Sequence, residues 1–212
     1  IVRGEGCWLI DEKGRRYLDA CGGAYVANLG HGVSEIADAV AEQMRKVAYV
    51  NGTAFTNEPV EALAAELRTL SPQGLDFAYF LSSGSEAVEA ALKLARQYWV
   101  ESGRPGKHKL IARTPGYHGN TMLALSASAR GAYKKMFAPW LVPVTMIPAP
   151  YPYRCEAGSP AMTAEALEAA ILKEGAGTVA AFIAEPVGGS STGASVPPLD
   201  YYKNVRRICD KY

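Results

Sequence analysis

Ser82, Ser83, Gly84 and Ser85 close an apolar run and open a helical pattern that continues to Trp99. A plain strand-to-helix turn needs one cap and at most one glycine. Three hydroxyls and a glycine in four positions suit an anion site. The first N–H groups of a helix lack intrahelical acceptors and carry a partial positive charge. A phosphate group fits there, with Gly84 allowing close approach and Ser83 and Ser85 adding donors. The same residues also fit a capping box, with Ser83 as the cap and Glu86 three residues later. On local sequence alone the cap is favoured, and a capped helix can still present Gly84 and Ser85 to a ligand. The spacing matches neither a Walker A loop nor a G-x-G-x-x-G dinucleotide turn.

Two further loops carry chemistry. The stretch TPGYHGN sets Tyr117 and His118 between glycines. Tyr117 could stack on a flat ligand ring, and His118 could be polar support, although an exposed Tyr-His pair is more often structural. Glu185 directly follows an apolar run. A carboxylate there needs a partner, because burying an unpaired charge is costly. A cation, an arginine or a protonated ring nitrogen would serve, and so would an ordinary loop salt bridge. The GGSSTG that follows reads equally well as linker.

These loops need elements to hold them. Phe77–Leu81, Lys109–Ala112 and Val179–Ala184 are apolar runs that predict buried strands; Val142–Ile147 predicts a fourth, weakened by Pro143. Helices are expected from Ser85 onward, with Val88, Ala91, Leu92, Ala95 and Trp99 on one face and Gly103 as terminator. Others are expected over Thr121–Ala129, Ala164–Leu172 and Leu199–Tyr212. Nearer the start, Trp8–Ile10 and Tyr17–Leu18 flank a turn at Asp11–Gly14 and read as a hairpin. CGGAYVANLGHG reads as irregular. Ile36, Val40, Met44 and Val47 mark a helix with Ser34 as a possible cap. Val60, Leu63, Leu67 and Leu70 mark another, with Pro59 in its first turn and Ser71-Pro72 at its end. Alternating helices and fully apolar strands predict an α/β sheet covered on both faces. Ligands of such sheets lie beyond the carboxyl ends of the strands, so the three loops should converge on one edge.

The composition narrows the partners. With 22 basic and 21 acidic residues the formal charge is +1, and no run of like charge occurs, which argues against nucleic acid. Cys7, Cys21, Cys155 and Cys209 are scattered and only three histidines exist, which argues against zinc. They read as reduced, mostly buried thiols of a cytoplasmic protein. IVRGEGCWLI does not read as a signal peptide, and no apolar stretch approaches the roughly 20 residues a bilayer requires.

Taken in order, GCWLIDEKGRRYLDACGG, NLGHG, FTNEP, SGSEAVEAALKLAR, GYHG and AEPVGG resemble the class III aminotransferases of the fold type I pyridoxal-phosphate enzymes, from about Gly4 to Tyr212. RQYWVESGRPGKHKLIARTPGYHGNT is most similar to the ω-amino acid and amine transaminases. The resemblance implies an α/β architecture. Residues 51–212 would form part of the large, pyridoxal 5'-phosphate-binding domain, a mostly parallel sheet flanked by helices, and residues 1–50 the N-terminal segment of the small domain. It places the cofactor phosphate on Ser83, Gly84 and Ser85, the pyridine ring under Tyr117 with His118 beside it, and Glu185 near the ring. Tyr25 would line the substrate pocket, and the loop from Tyr49 to Phe55 would reach a partner subunit's site in a homodimer or homotetramer. The implied substrates are an amine or ω-amino acid donor and a keto acid, pyruvate or 2-oxoglutarate.

The departures from the family pattern are as informative. The aspartate that pairs with the pyridine nitrogen and the lysine that forms the Schiff base both follow the point where these residues stop. None of the ten lysines stands at a position the family uses, so no catalytic residue is assigned. The chain reads as the first half of an aminotransferase, inactive by itself. A decarboxylase or aminomutase of the same fold is the alternative. A non-catalytic binding module is a third reading. Against it stand the unpaired strand edge and apolar helix faces that such a module would expose.

Overall fold

The computed structural model describes residues 1–129, 131–156 and 158–212. They form two compact units, Ile1–Ala78 and Tyr79–Tyr212.

In the first unit the expected hairpin is present and gains a strand. β1 (Arg3–Glu5), β2 (Trp8–Ile10) and β3 (Arg16–Leu18) form an antiparallel sheet in that order. The turn between β2 and β3 is organised by Asp11. Its carboxylate accepts the N–H groups of Lys13 and Arg15, the Arg15 Nε at 2.7 Å and the Tyr17 hydroxyl at 3.0 Å. Burial pushes the Asp11 carboxyl up, but these hydrogen bonds together outweigh it and hold the group below the usual range.

The glycine-rich stretch forms a single left-handed turn. Gly22, Gly23, Ala24 and Tyr25 have φ of 55°, 58°, 61° and 72°. Asp19 holds the turn by accepting the Gly23 N–H at 3.2 Å, and its other oxygen meets His31 Nε2 at 2.8 Å. α1 (Ser34–Lys46) and α2 (Glu58–Leu70) follow. Ser34 is not the cap of α1 but its first helical residue; Val33 holds the cap position and offers no side-chain oxygen. Asn57 caps α2 through the Val60 N–H at 3.1 Å, with Pro59 in the first turn as expected.

The second unit holds α3 (Gly84–Glu101), β4 (Lys109–Thr114), α4 (Met122–Ala127), α5 (Gly131–Phe137), β5 (Thr145–Pro148), α6 (Glu165–Glu174), β6 (Val179–Phe182) and α7 (Tyr201–Lys211). Its sheet is parallel with β4 in the middle, in the order β5-β4-β6. Successive side chains of β4 serve opposite faces. Ile111 packs with Ile147, Leu167, Ile171, Val179, Val205 and Ile208 under α6 and α7. Leu110 and Ala112 pack with Leu92 and Ala127 under α3 and α4. Ile111 and Leu167 are fully buried, each worth roughly 1.5–3 kcal/mol of transfer free energy. Both faces of the strand are therefore covered, which is why it reads as an unbroken apolar run.

Three further expectations fail. Phe77–Leu81 forms no strand, and Phe77 is 99% exposed. A strand exists only where a neighbour accepts its backbone hydrogen bonds, and neither β5 nor β6 pairs with this segment. The strand expected at Val142 begins instead at Thr145, because Pro143 has no N–H to offer a ladder. The cysteines are free but not buried: Cys7 and Cys21 lie exposed in turns, and Cys155 and Cys209 are half-buried. Among the described residues no helix is long and apolar enough to cross a membrane.

Candidate active site

The three loops meet at the carboxyl edge of the sheet in the second unit. At the start of α3, Ser83 Oγ accepts the Glu86 N–H at 3.2 Å. No bond returns from the Glu86 carboxylate to Ser83 among the described residues, so half of the capping box forms. The N–H groups of Gly84 and Ser85 precede the first intrahelical acceptors. A β-carbon built on Gly84 would meet nothing within 4 Å, so the backbone there faces open space.

Ser85 points the other way, into the loop after β4. Its Oγ accepts the Asn120 N–H at 2.9 Å, and its carbonyl accepts the Thr121 hydroxyl at 3.2 Å. Gly119, with φ of 136°, passes so close that a β-carbon would stand 2.6 Å from Ser85 Oγ. One turn along α3, Glu89 Oε2 accepts the Thr121 hydroxyl at 2.6 Å and the N–H groups of Leu123 and Ala124 at 3.1 and 3.2 Å. A carboxylate on α3 thereby caps α4. An open cleft of about 550 Å³ borders the flank of α3, lined by Tyr79, Leu81, Glu86, Glu89 and Thr121 among others.

The Tyr117 loop is joined to the loop after β6. Glu185 Oε2 accepts the Tyr117 N–H at 3.3 Å and the Ser191 hydroxyl at 3.2 Å, and Oε1 accepts the Gly189 N–H at 3.1 Å. The Glu185 carbonyl accepts the Tyr202 hydroxyl at 2.6 Å and a hydrogen bond from Arg113 Nη2. Arg113 is only 4% exposed, its guanidinium carbon lies 5.8 Å from the ring centroids of both Tyr201 and Tyr202, and its Nη1 has no partner among the described residues. The carboxylate is taken by backbone amides and a hydroxyl, donors the sequence had not offered for Glu185. The arginine takes the main-chain carbonyl.

His118 is buried, with its N–H donating to Ser128 Oγ at 2.8 Å and its Nε2 lacking a partner among the described residues. Burial depresses its pKa; the nearby Glu185 opposes that and Arg113 adds to it. The imidazole is neutral in this setting and offers one unsatisfied ring nitrogen.

Of the residues singled out from sequence, Ser83, Gly84, Ser85, Tyr117, His118 and Glu185 thus gather at one edge. Tyr25 belongs to the first unit, on the left-handed turn, and the residue is 64% exposed. Sequence reasoning missed Glu89, Arg113, Asn120, Thr121, Ser128, Ser191 and Tyr202. Arg113 carried one signal, a charge at the end of an apolar strand. The others act through contacts 10 or more positions away, apart from Ser191, and left no local pattern.

The aminotransferase class-III family model matches residues 1–212. An aminotransferase of Schizosaccharomyces pombe is 42% identical, across all of this chain and 48% of the yeast protein. The beta-alanine–pyruvate aminotransferase of Pseudomonas aeruginosa is 36% identical, again across all of this chain and 48% of its own length. Among solved structures, the thermostable (S)-enantioselective omega-transaminase of Thermomicrobium roseum superposes with a TM-score of 0.92 at 41% identity, covering all of this chain and 48% of that one. The chain spans about half the length of the curated relatives it matches.

Proposed function

The chain belongs to the class-III aminotransferases, and from that premise we propose that the edge formed by the start of α3 and the loops after β4 and β6 seats pyridoxal 5'-phosphate. In the complete protein the reaction would be transamination of an amine or ω-amino acid with pyruvate or 2-oxoglutarate. The observation that carries the reading is the bare start of α3. Open space in front of Gly84, two N–H groups without intrahelical acceptors and the positive end of an 18-residue helix dipole suit a dianionic phosphate. Bound there, the cofactor supplies the electron-accepting ring that loosens a bond at the donor carbon.

The chain's own residues would do four things. Gly84 and Ser85 hold the phosphate, with Ser83 keeping the helix start open. Tyr117 stacks on the ring. His118, buried and neutral, offers Nε2 to a polar group beside that ring. Tyr25 lines the substrate pocket. Residues 1–50 would belong to the small domain and 51–212 to the cofactor domain of a cytoplasmic homodimer or homotetramer. The lysine and aspartate the chemistry requires would be supplied from beyond these 212 residues.

The test begins with the intact mass of the purified protein, expected near twice the 22.6 kDa of these residues. That protein, with pyridoxal 5'-phosphate, should convert pyruvate to alanine at the expense of an added ω-amino acid or amine. Absence of amino transfer to both pyruvate and 2-oxoglutarate would overturn the reading. Release of carbon dioxide without amino transfer would move it to a decarboxylase of the same fold.

A further inference from the structure

The resemblance puts Glu185 near the cofactor ring, which invites the view that its carboxylate acts on the ring directly. The geometry points elsewhere. Both carboxylate oxygens are engaged by the protein: Oε1 by the Gly189 N–H, Oε2 by the Tyr117 N–H and the Ser191 hydroxyl. These donors come from two different loops, one after β4 and one after β6. The main chain of Glu185 is itself pinned, because Arg113 at the end of β4 and Tyr202 on α7 both donate to its carbonyl. Four segments of the fold converge on this residue.

Packing around the carboxylate supports the same view. A β-carbon on Gly189 would stand 3.2 Å from Oε1, and one on Gly116 would stand 2.7 Å from the Arg113 carbonyl and 3.7 Å from Oε2. The loop after β6 thus approaches the carboxylate closely through Gly189, while Gly116 lets the loop after β4 fold tightly against the Arg113 carbonyl, with Oε2 at ordinary contact distance. Arg113 is buried and pairs with no carboxylate among the described residues. It spends its charge on a backbone carbonyl, which suits a residue whose task is to fix the position of that peptide.

We propose that Glu185 is a positioning residue, a clamp that joins the Tyr117 loop to the 186–191 loop and acts on the cofactor only through the placement of Tyr117, with Arg113 and Tyr202 holding the clamp itself. The proposal rests on the assignment of Tyr117 to the cofactor ring. A carboxylate serves here because it accepts from donors on both sides at once. An amide in its place sets an NH2 group against an N–H on one side, whichever way it is turned.

The test is amide hydrogen exchange in the intact, cofactor-free protein, comparing Glu185→Gln and Tyr202→Phe with the parent. Glu185→Gln should speed exchange by about tenfold in residues 116–118 or 188–191, the cost of one lost charge-assisted bond, with β4 amides unchanged. Tyr202→Phe should produce a smaller rise in the same residues. Pyridoxal 5'-phosphate should then bind Glu185→Gln more weakly, while inorganic phosphate binds it as it binds the parent. General destabilisation would move both ligands and the β4 amides together. Unchanged exchange in both loops, or a rise that spreads through β4, would overturn the clamp. If Glu185→Gln does not fold, Tyr202→Phe decides by the same criterion. Failure of the cofactor assignment would appear separately, as a parent protein that binds no pyridoxal 5'-phosphate while the exchange results hold.

Discussion

Gly119 and Ser85 lie so close that a β-carbon on the glycine would stand 2.6 Å from the serine Oγ and 2.8 Å from its Cα. This contact seats the loop after β4 on the first turn of α3. Gly119→Ala would force the two apart and place a side chain at φ of 136°. A loss of ~2–3 kcal/mol of stability is expected, measured by urea unfolding.

Gly84 gives the contrasting case. Its β-carbon would meet nothing within 4 Å, so Gly84→Ala should leave stability unchanged or raise it by up to ~1 kcal/mol. The methyl group would nonetheless occupy the space assigned to the phosphate. Pyridoxal 5'-phosphate affinity, followed by absorbance titration, should fall about tenfold or more, the loss of at least one charge-assisted hydrogen bond.

Glu89 ties α3 to α4 through one oxygen that accepts three hydrogen bonds. Glu89→Ala should therefore cost ~2 kcal/mol, the sum of a lost cap and a stranded hydroxyl. Glu89→Gln, which keeps an acceptor, should cost about half of that. Paired unfolding curves for the two variants check the ratio.

His118 makes stability depend on pH. Burial holds its pKa below the ordinary 6.5, so between the folded value and 6.5 the unfolded chain binds the proton more readily. Stability from this group is complete above pH 6.5 and declines as the pH falls toward the folded value, by at most ~1.4 kcal/mol per unit. The Tm of the parent should drop between pH 7 and 5 by more than that of His118→Asn. Parallel Tm profiles would count against a buried neutral imidazole.

Ala24 and Tyr25 are the non-glycine members of the left-handed turn at Gly22–Tyr25. Each carries a conformational cost of roughly 1–2 kcal/mol. Ala24→Gly should stabilise the first unit by ~1 kcal/mol once the extra entropy of glycine is offset. Thermal unfolding of parent and variant measures it.

The parts legible in the sequence share a physical basis. α3 announced itself by its 3.6-residue apolar period and its serine-glycine entry, and β4 and β6 by unbroken apolar runs flanked by turn residues. Local cues of this kind depend on a few neighbouring residues. The Phe77–Leu81 expectation failed because apolar content reports a segment's preference for burial, while pairing needs a neighbour's backbone. The cysteines failed for a related reason: the average burial of a residue type says nothing about a thiol placed in a turn.

By itself the sequence determined the helical periods, the apolar runs of β4 and β6 with the loops that follow them, and the candidacy of Ser83, Gly84, Ser85, Tyr117, His118 and Glu185 for one edge, although the strand expected before Ser82 did not form. Only the tertiary structure decided how those residues are held. Glu89 caps a helix that begins 33 positions later, Arg113 reaches a carbonyl 72 positions away, and Glu185 bridges two loops. Hydrogen bonds of this range depend on distances that the parallel sheet creates by bringing β4 and β6 side by side, and a linear pattern of residue types contains no such distances.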